Sequence, residues 1–250
     1  FSIVRMVVAS GRLPLLENSM NNDRLDAVRE AAEQGDAGSQ FALGNAYAQG
    51  KGVPQDYKEA VAWYRKAAEQ GHVGGRVNLG SMYAQGQGVP RNDKEAVKLY
   101  WKAAEQGDAT AQANLGVMYS QGNGVHHDYK EAARWWLEAA EQGNATSQVH
   151  LGKIYTKGTG VPRDYKKSAK WFRKAAEQGD VDGQYFIGGQ YAEGKGVPKD
   201  YVHAYLWLSL AALQGDKDAV NYREDLATFM TPAQIAQAQE LARNWRPVKP

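Results

Sequence analysis

The stretch Ala-Ala-Glu-Gln-Gly at residues 67–71 decides the fold, because it returns at a fixed interval along the chain. Copies start every 36 residues and occupy 31–35, 103–107, 139–143 and 175–179, with Ala-Ala-Leu-Gln-Gly at 211–215. Between copies, a Leu-Gly pair (Ile-Gly in the fifth copy), a tyrosine and a Gly-x-Gly-Val turn recur in the same order. Self-similarity at such a period is typical of solenoids and other repeat architectures.

Each repeat carries the signals of two helices. Apolar residues at Ala60, Trp63 and Tyr64 follow the i, i+3, i+4 spacing of a buried helical face. Asp and Asn are favourable N-cap residues. We expect first helices to begin at Asp36, Asp108, Asn144 and Asp180, and second helices at Asp56, Asn92, Asp128, Asp164 and Asp200. The sequence therefore predicts an all-α fold of five 36-residue helix-turn-helix repeats.

One glycine of each repeat falls in the middle of the first helix, where glycine costs about 1 kcal/mol relative to alanine. A repeated cost needs a repeated structural reason. We predict that the second helix approaches closely there and lays an aromatic ring over the glycine. The predicted ring is the residue at 63, 135, 171 or 207. The second repeat has Leu99 at that place and is predicted to pack less tightly.

The N-terminal end of the chain differs from the repeats. Residues 23–33 match only the end of a second helix, so the repeat region is predicted to cover residues 23–215. Residues 1–22 have no counterpart in the repeats. We expect them to be a cap, a linker or an engineered remnant, and their apolar run is short and interrupted for a signal peptide.

The C-terminal end is predicted to be a helical cap over residues 216–250. The last second helix, residues 201–213, is far more apolar than its predecessors and needs a cover. Two helices, Lys217–Thr228 and Thr231–Trp245, are expected to supply it, with Thr231 as N-cap and Pro232 in the first helical position. Terminal caps of this kind are expected of a solenoid.

Composition and charge exclude several classes of function. The 250 residues include 30 basic and 28 acidic side chains, a formal net charge of +2. No strong field therefore attracts nucleic acids, and we expect none as partners. The absence of cysteine excludes disulfides, thiolate metal sites and a cysteine nucleophile. No apolar run approaches the ~20 residues of a transmembrane helix, so no membrane insertion is expected.

The chain contains no recognisable catalytic motif. Neither His-Glu-x-x-His nor Gly-x-Ser-x-Gly occurs. Ser168 and Lys170 are one residue too close for Ser-x-x-Lys, which counts against a β-lactamase-like site. The adjacent His126 and His127 lie in a predicted turn and have no third ligand nearby. We expect no catalytic residues, no metal site and no cofactor.

The motifs that carry a family resemblance are Ala-Ala-Glu-Gln-Gly, Leu-Gly-x-x-Tyr, Gly-x-Gly-Val and the block Asp-Tyr-Lys-Glu-Ala-x-x-Trp. The repeat pattern resembles the Sel-one-like repeat (SLR) family, relatives of the tetratricopeptide repeats. The resemblance covers about residues 23–215. It implies a right-handed α-solenoid with a concave face, and an adaptor in bacterial signalling, envelope, secretion or host-contact systems. By the family alone, a periplasmic or secreted location is favoured over a cytoplasmic one.

Variable positions among the five first helices indicate a candidate binding surface. Constant columns carry packing, whereas variable columns three and four residues apart form one helical stripe, which we expect to be free of packing. The resemblance implies that this stripe lines the concave groove. The candidate partner-binding residues, including Arg76 as a lone charge in a glutamine column, are Phe41, Ala42, Asn45, Arg76, Asn78, Ser81, Asn114, Val117, His150, Lys153, Tyr185 and Phe186.

The chemistry of the stripe suits a protein or peptide partner. Asparagine side chains donate and accept hydrogen bonds, as the backbone of an extended peptide requires. Phe41, Tyr185 and Phe186 are anchors of the kind that dominate interface energy. The competing interpretation is that the variable columns drift and that the terminal aromatic residues pack against the caps.

We therefore expect a non-enzymatic interaction scaffold or adaptor that binds a protein or peptide in the concave groove. Two alternatives stay open. One is a β-lactamase-like hydrolase, as ascribed to cysteine-rich relatives. The other is a homo-oligomeric assembly in which residues 1–22 of one chain lie in the groove of another.

Overall fold

The computed structural model describes residues 25–248, and the regular secondary structure within that range is α-helical. The first described helix, α1, covers residues 25–33. The helices that follow are α2 (Ala37–Gln49), α3 (Tyr57–Glu69), α4 (Val73–Gln85), α5 (Asp93–Ala104), α6 (Ala109–Gln121), α7 (Tyr129–Glu141), α8 (Ala145–Lys157), α9 (Tyr165–Glu177), α10 (Val181–Glu193), α11 (Tyr201–Leu213), α12 (Lys217–Ala227) and α13 (Pro232–Asn244). Over residues 25–248, none of the helices combines the length and apolarity needed to cross a membrane.

The chain divides into two compact units, Phe1–Ala103 and Ala104–Pro250. In the first unit, α2 packs on α3 and α3 on α4. In the second unit, the pairs α6–α7, α8–α9 and α10–α11 pack closely, and α8 also contacts both α6 and α10. Each unit is thus built from the predicted helix-turn-helix repeats, which confirms the all-α solenoid class. Residues 1–22 lie outside the described residues, so their predicted roles stay predictions.

The helix boundaries follow the predicted caps. The carboxylate of Asp56 accepts a hydrogen bond from the backbone N–H of Lys58 at 2.8 Å and starts α3. The sequence did not mark His72 as a cap, yet its Nδ1 accepts from the N–H of Gly75 at 3.1 Å and starts α4. Helix α2 ends at Gly50, whose φ of 68° lies in the left-handed region that favours glycine.

The second helix approaches each mid-helix glycine closely, as predicted. The side chain that covers the glycine is, however, one residue later in the sequence than the predicted one. A Cβ atom at Gly44 would lie 2.6 Å from Cδ1 of Tyr64, which is not residue 63. The residues over the five glycines are Tyr64, Tyr100, Trp136, Phe172 and Leu208. Leu99 therefore does not loosen the second repeat, because the contact with the glycine belongs to its neighbour. The reason is geometric: one residue shifts a side chain by about 100° around the helix.

Two helices, α12 and α13, follow the repeats and pack against α11. Helix α11 is buried over most of its surface and packs against α10, α12 and α13. Thr231 caps α13, with Pro232 as the first helical residue and a reciprocal capping box between Thr231 and Gln234. Leu208 in the centre of α11 is fully buried. Helix α11 is therefore apolar because α12 and α13 cover it.

Candidate functional site

A row of buried glutamines ties successive second helices together, and we call it the glutamine ladder. The side-chain amide of Gln148 donates to the carbonyl of Ala140 at 3.1 Å, and its oxygen accepts from Gln178 at 2.8 Å. The same pattern recurs at Gln40 with Gln70, at Gln112 with Gln142 and at Gln184 with Gln214. These glutamines are structural, which explains why this column is nearly constant.

Arg76 takes the ladder position in the second repeat, and the structure separates it from the predicted stripe. Its Nε donates to the carbonyl of Ala68 at 3.4 Å. With about 100° per residue, Arg76 points about 160° away from Asn78 around α4. It lines a cavity formed by α3, α4 and α5, and Asn78 and Ser81 do not line that cavity. Its assignment to the same binding face as Asn78 was therefore wrong.

In the first unit, the stripe residues bond to neighbouring helices. Asn45 Oδ1 accepts from the hydroxyl of Tyr64 at 2.7 Å and from Nδ2 of Asn78 at 2.9 Å. The Ser81 hydroxyl lies 3.0 Å from that of Tyr100. Burial raises the pKa of both tyrosines, which keeps their hydroxyls protonated. These side chains were expected to be free of packing, and that expectation was wrong because they connect adjacent helices.

The first aromatic anchor of the stripe is also engaged inside the protein. The rings of Phe41 and His72 stack with centroids 4.7 Å apart. Phe41 is half-buried, whereas Ala42 beside it is exposed. Of the first-unit candidate residues, Ala42 is exposed and the others are half-buried.

In the second unit, the stripe continues through half-buried side chains on α6, α8 and α10. Asn114 and Val117 are half-buried, and Val117 packs against the core cluster that contains Trp136. His150 stacks on Trp136 with centroids 4.4 Å apart and an interplanar angle of 10°. Burial lowers the pKa of His150, and the nearby charge of Lys153 lowers it further. The imidazole is therefore held in its neutral form.

Lys153 connects the stripe to the aromatic residues of α10. Its ammonium lies 2.8 Å from a carboxylate oxygen of Asp182 and 4.8 Å from the ring centroid of Phe186. Phe186 stacks on Phe172 at 4.9 Å, and its edge contacts Tyr185 at 5.3 Å. The structure thus brings the predicted Lys153, Tyr185 and Phe186 together at one place.

These rings border a cavity of about 270 Å³ in the second unit, which we call the aromatic cavity. Its rings come from Phe172, Tyr185, Phe186 and Tyr222. Gly189 lies in its wall at the stripe position where earlier repeats carry Asn45, Ser81, Val117 and Lys153. Because Gly189 has no side chain, the cavity opens at this repeat.

No prediction covered the polar network that lies behind the rings. Gln190 lines the cavity, is 6% exposed, and donates from Nε2 to the hydroxyl of Ser168 at 2.7 Å. Ser168 in turn contacts Thr156 at 2.6 Å and donates to the carbonyl of Gly152. The Gln190 carbonyl oxygen is buried and has no hydrogen-bond partner within the described structure.

The signal for this network was present in the repeat columns. The position of Gln190 is Ala46, Met82, Met118 and Ile154 in the other copies. The position of Ser168 is alanine in the other four second helices. A polar residue in an otherwise apolar column indicates a buried polar site. Tyr222 lies outside the repeats and carried no such signal.

The adjacent histidines considered as metal ligands, His126 and His127, do not line this cavity. His127 packs edge-on against Tyr129, with ring centroids 4.5 Å apart, beside the turn at His126. Within residues 25–248, no three His, Asp or Glu side chains are grouped as metal ligands. The lining of the aromatic cavity instead combines ring faces with the ion pair of Glu193 and Lys195. Such an arrangement is suited to recognising a side chain.

Comparison with known proteins identifies the family. The model of the Sel1 repeat matches residues 37–72, 75–108, 109–144, 145–180 and 181–216. No curated protein matches the chain. A protective antigen with an SLR fold, present in uropathogenic Escherichia coli strains, is 40% identical with a TM-score of 0.80 over 87% of this chain and 47% of that chain.

Two further solved structures are similar to this chain. A Sel1 repeat protein from Oxalobacter formigenes is 36% identical with a TM-score of 0.76, over 82% of this chain and 59% of that chain. A Klebsiella pneumoniae Sel1 repeat protein, 22% identical over 81% of this chain and 99% of that chain, shares the fold with a TM-score of 0.52. The chain thus spans about half to three fifths of the length of its first two relatives.

Sel1 repeat proteins are generally non-catalytic scaffolds for protein interaction. With five matched repeats and these relatives, the chain belongs to the Sel1 repeat family.

Proposed function

We propose that this protein is a non-enzymatic interaction module that binds an extended segment of a partner protein, and that the aromatic cavity receives one side chain of that segment. The observation that carries the proposal is the cavity of about 270 Å³ that four aromatic rings border and that is open where Gly189 has no side chain. Aromatic residues are frequent anchors of protein interfaces, and a cavity with aromatic walls is suited to receive one such anchor.

The cavity favours a side chain with a flat apolar body and a polar group, because its lining combines aromatic rings with the ion pair of Glu193 and Lys195. Rings of Phe172, Phe186 and Tyr222 supply apolar and edge contacts. A volume of about 270 Å³ is below the range of typical drug-sized sites and fits a single side chain. Tyrosine and tryptophan combine a large ring with one donor, and both are frequent anchors of protein interfaces. We therefore expect a tyrosine or tryptophan of the partner.

The surroundings of Ser168 support a non-enzymatic role. A serine nucleophile needs an adjacent general base. Ser168 is fully buried, and its hydroxyl contacts the Thr156 hydroxyl, the Gly152 carbonyl and the Gln190 amide. None of these three groups is a base at neutral pH. The hydrolase alternative gains no support from this serine.

The setting of the interaction is proposed from the family alone. We infer a bacterial adaptor with a regulatory or envelope and host-contact role, acting in the periplasm or outside the cell. One relative is a protective antigen of uropathogenic strains, which supports a role at the cell surface. Fractionation of the source cells tests the location, and recovery of the full-length chain in the cytoplasm alone contradicts it.

Selection of peptides on the immobilised full chain tests the cavity. We expect binders that share a tyrosine or tryptophan at one position. Gly189→Leu places apolar atoms in the cavity, because a Cβ there already lies 3.4 Å from Cε1 of Tyr222. The substitution should lower the affinity for such peptides by about tenfold, which is the effect of losing one anchor contact.

The matched control is Gly38→Leu, the same change at an exposed position of α2 in the other unit. It should leave peptide affinity unchanged, and circular dichroism verifies that both variants fold. Selected peptides without a shared aromatic residue contradict the proposal. Equal affinity of the wild type and the Gly189→Leu variant also contradicts it.

A further inference from the structure

A second cavity, lined mainly by charged side chains, lies between α3, α4 and α5 of the first unit and has a volume of about 410 Å³. We call it the basic groove. Its charged lining comprises four basic and two acidic side chains: Arg65, Arg76, Lys98, Lys102, Glu69 and Glu95. Lys98 is paired with Glu95 at 3.4 Å. Arg65, Arg76 and Lys102 therefore face Glu69 alone, and the groove carries excess positive charge.

Arg76 is the residue that distinguishes this groove from the other repeats. The four other copies have glutamine at its position, and those glutamines are ladder residues. Arginine has five N–H donors and no acceptor, so it cannot replace the accepting half of a ladder glutamine. One weak bond, to the carbonyl of Ala68 at 3.4 Å, uses its Nε. The fork of the guanidinium is suited to a carboxylate.

The second unit contains the same kind of groove, two repeats further along the chain. A cavity of about 290 Å³ is lined by Glu141, Gln148 and Lys174, which are equivalent to Glu69, Arg76 and Lys102 after a shift of 72 residues. Val248 of the C-terminal segment also lines it. This groove therefore shows how a chain segment lies against this type of surface.

The C-terminal segment docks as an extended chain. Residues 245–248 have no helical structure after α13 ends. The N–H of Val248 donates to the carbonyl of Glu177 at 2.7 Å. Trp245 packs edge-on against Trp207, with ring centroids 6.2 Å apart. One backbone hydrogen bond at the end of α9 and one aromatic contact with the middle of α11 thus hold an extended segment.

The two grooves differ in charge. The described part of the segment, residues 245–248, carries one charged side chain, Arg246, whose guanidinium donates to the carbonyls of Arg243 and Trp245. The groove that Val248 lines has one basic side chain, Lys174, and two acidic ones, Glu141 and Glu177. The basic groove of the first unit has the opposite balance. Complementary charge across an interface favours the matching partner and disfavours others.

We propose that the basic groove binds an extended acidic peptide of a partner protein, with a carboxylate on Arg76. The backbone of the peptide would run along the helix ends in the manner of residues 245–248. This site is separate from the aromatic cavity, and neither proposal depends on the other.

Fluorescence anisotropy of a labelled octapeptide of alternating Glu and Val, measured on the full chain, tests the proposal. We expect saturable binding that weakens as NaCl is raised, because the contacts are ionic. Arg76→Gln restores the residue of the other four repeats and should weaken binding about fivefold, the effect of one partly exposed ion pair. Lys102→Gln, an exposed change, should weaken it as well and serves as the second variant.

Lys58→Gln is the matched control, since it removes one positive charge from the exposed start of α3, outside the groove. It should bind like the wild type. Equal affinities of the Arg76→Gln, Lys102→Gln and Lys58→Gln variants would overturn the proposal. The same holds if a peptide with Gln in place of Glu binds equally well, or if single-stranded DNA binds more tightly than the peptide. The aromatic-cavity variant Gly189→Leu should retain acidic-peptide binding, which separates the two proposals.

Discussion

Gly80 and Tyr100 are in such close contact that a Cβ atom on the glycine would lie 2.8 Å from Cε1 of the ring. The ring is anchored on the far side, because the Tyr100 hydroxyl lies 3.0 Å from that of Ser81. Tyr100 is 3% exposed and has little room to withdraw. The glycine in the middle of α4 is therefore a packing residue.

Gly80→Ala should destabilise the protein by about 2 kcal/mol, although alanine favours the helix, because a clash in a packed core outweighs propensity. Gly38→Ala is the control, since its new Cβ would have its nearest neighbour at 3.4 Å on an exposed position of α2. We expect that control to stabilise by roughly 0.5–1 kcal/mol. Urea unfolding followed by circular dichroism measures both, and a stabilised Gly80→Ala variant would show that Tyr100 moves freely.

The glutamine ladder should contribute measurably to stability. Gln148→Ala removes two hydrogen bonds, one to the Ala140 carbonyl and one from the Gln178 amide, in a site where Gln148 is 2% exposed. Each lost bond contributes about 0.5–1.5 kcal/mol, and we expect the free energy of unfolding to fall by about 2 kcal/mol. As the control, Gln237→Ala on an exposed position of α13 should change it by less than ~0.5 kcal/mol. Equal unfolding midpoints for the two variants would show that water replaces the ladder bonds.

We expect the polar network of Gln190, Ser168 and Thr156 behind the aromatic cavity to lower the free energy of unfolding. The double substitution Ser168→Ala with Gln190→Met restores residue types that other repeats carry, as at Ala60 and Met82. It also removes the unpaired carbonyl of Gln190, so we expect the free energy of unfolding to rise by about 1 kcal/mol. A loss of stability would mean that the network holds α8, α9 and α10 together.

His150 should make stability depend on pH. Burial against Trp136 lowers its pKa in the folded protein below the value of about 6.5 for an exposed histidine. Below pH ~6.5 the unfolded chain binds a proton that folded His150 does not, so stability falls as the pH drops from 6.5 towards the folded pKa. His150→Asn, the residue at the equivalent positions 78 and 114, removes this contribution.

The measurement is the urea midpoint at pH 7.5 and at pH 5.5 for the wild type and the His150→Asn variant. The wild type should lose more stability between the two pH values than the variant, because the carboxylates are common to both. An identical loss would show that His150 titrates normally in the folded state.

The 36-residue period and its caps determined the helix boundaries. Asp56 and Thr231 were identifiable as N-caps because capping is a local interaction between a side chain and the next few N–H groups. His72 was missed because an imidazole seldom serves as a cap, and its role depends on which nitrogen faces Gly75. Local chemistry is readable from sequence where the residue type has one dominant use.

The candidate site was predicted in part. Comparison of the five copies located Lys153, Tyr185 and Phe186, which the structure brings together beside one cavity. The same comparison treated variation as freedom from packing, and Asn45 and Ser81 show that a variable residue can form bonds between helices. Variation therefore identifies where repeats differ, and only contacts show whether the difference serves a ligand or a neighbour.

By itself, the sequence determined the repeat, its helices, its terminal cap and its family, because each rests on residues close together in the chain. Only the tertiary structure decided which ring covers Gly44, that Arg76 lies in a groove with Lys102, and that the carbonyl of Gln190 is unpaired. Those facts depend on a rotation of about 100° per residue and on side chains from helices far apart in sequence. Periodicity specifies which residues are equivalent, whereas packing specifies which residues meet.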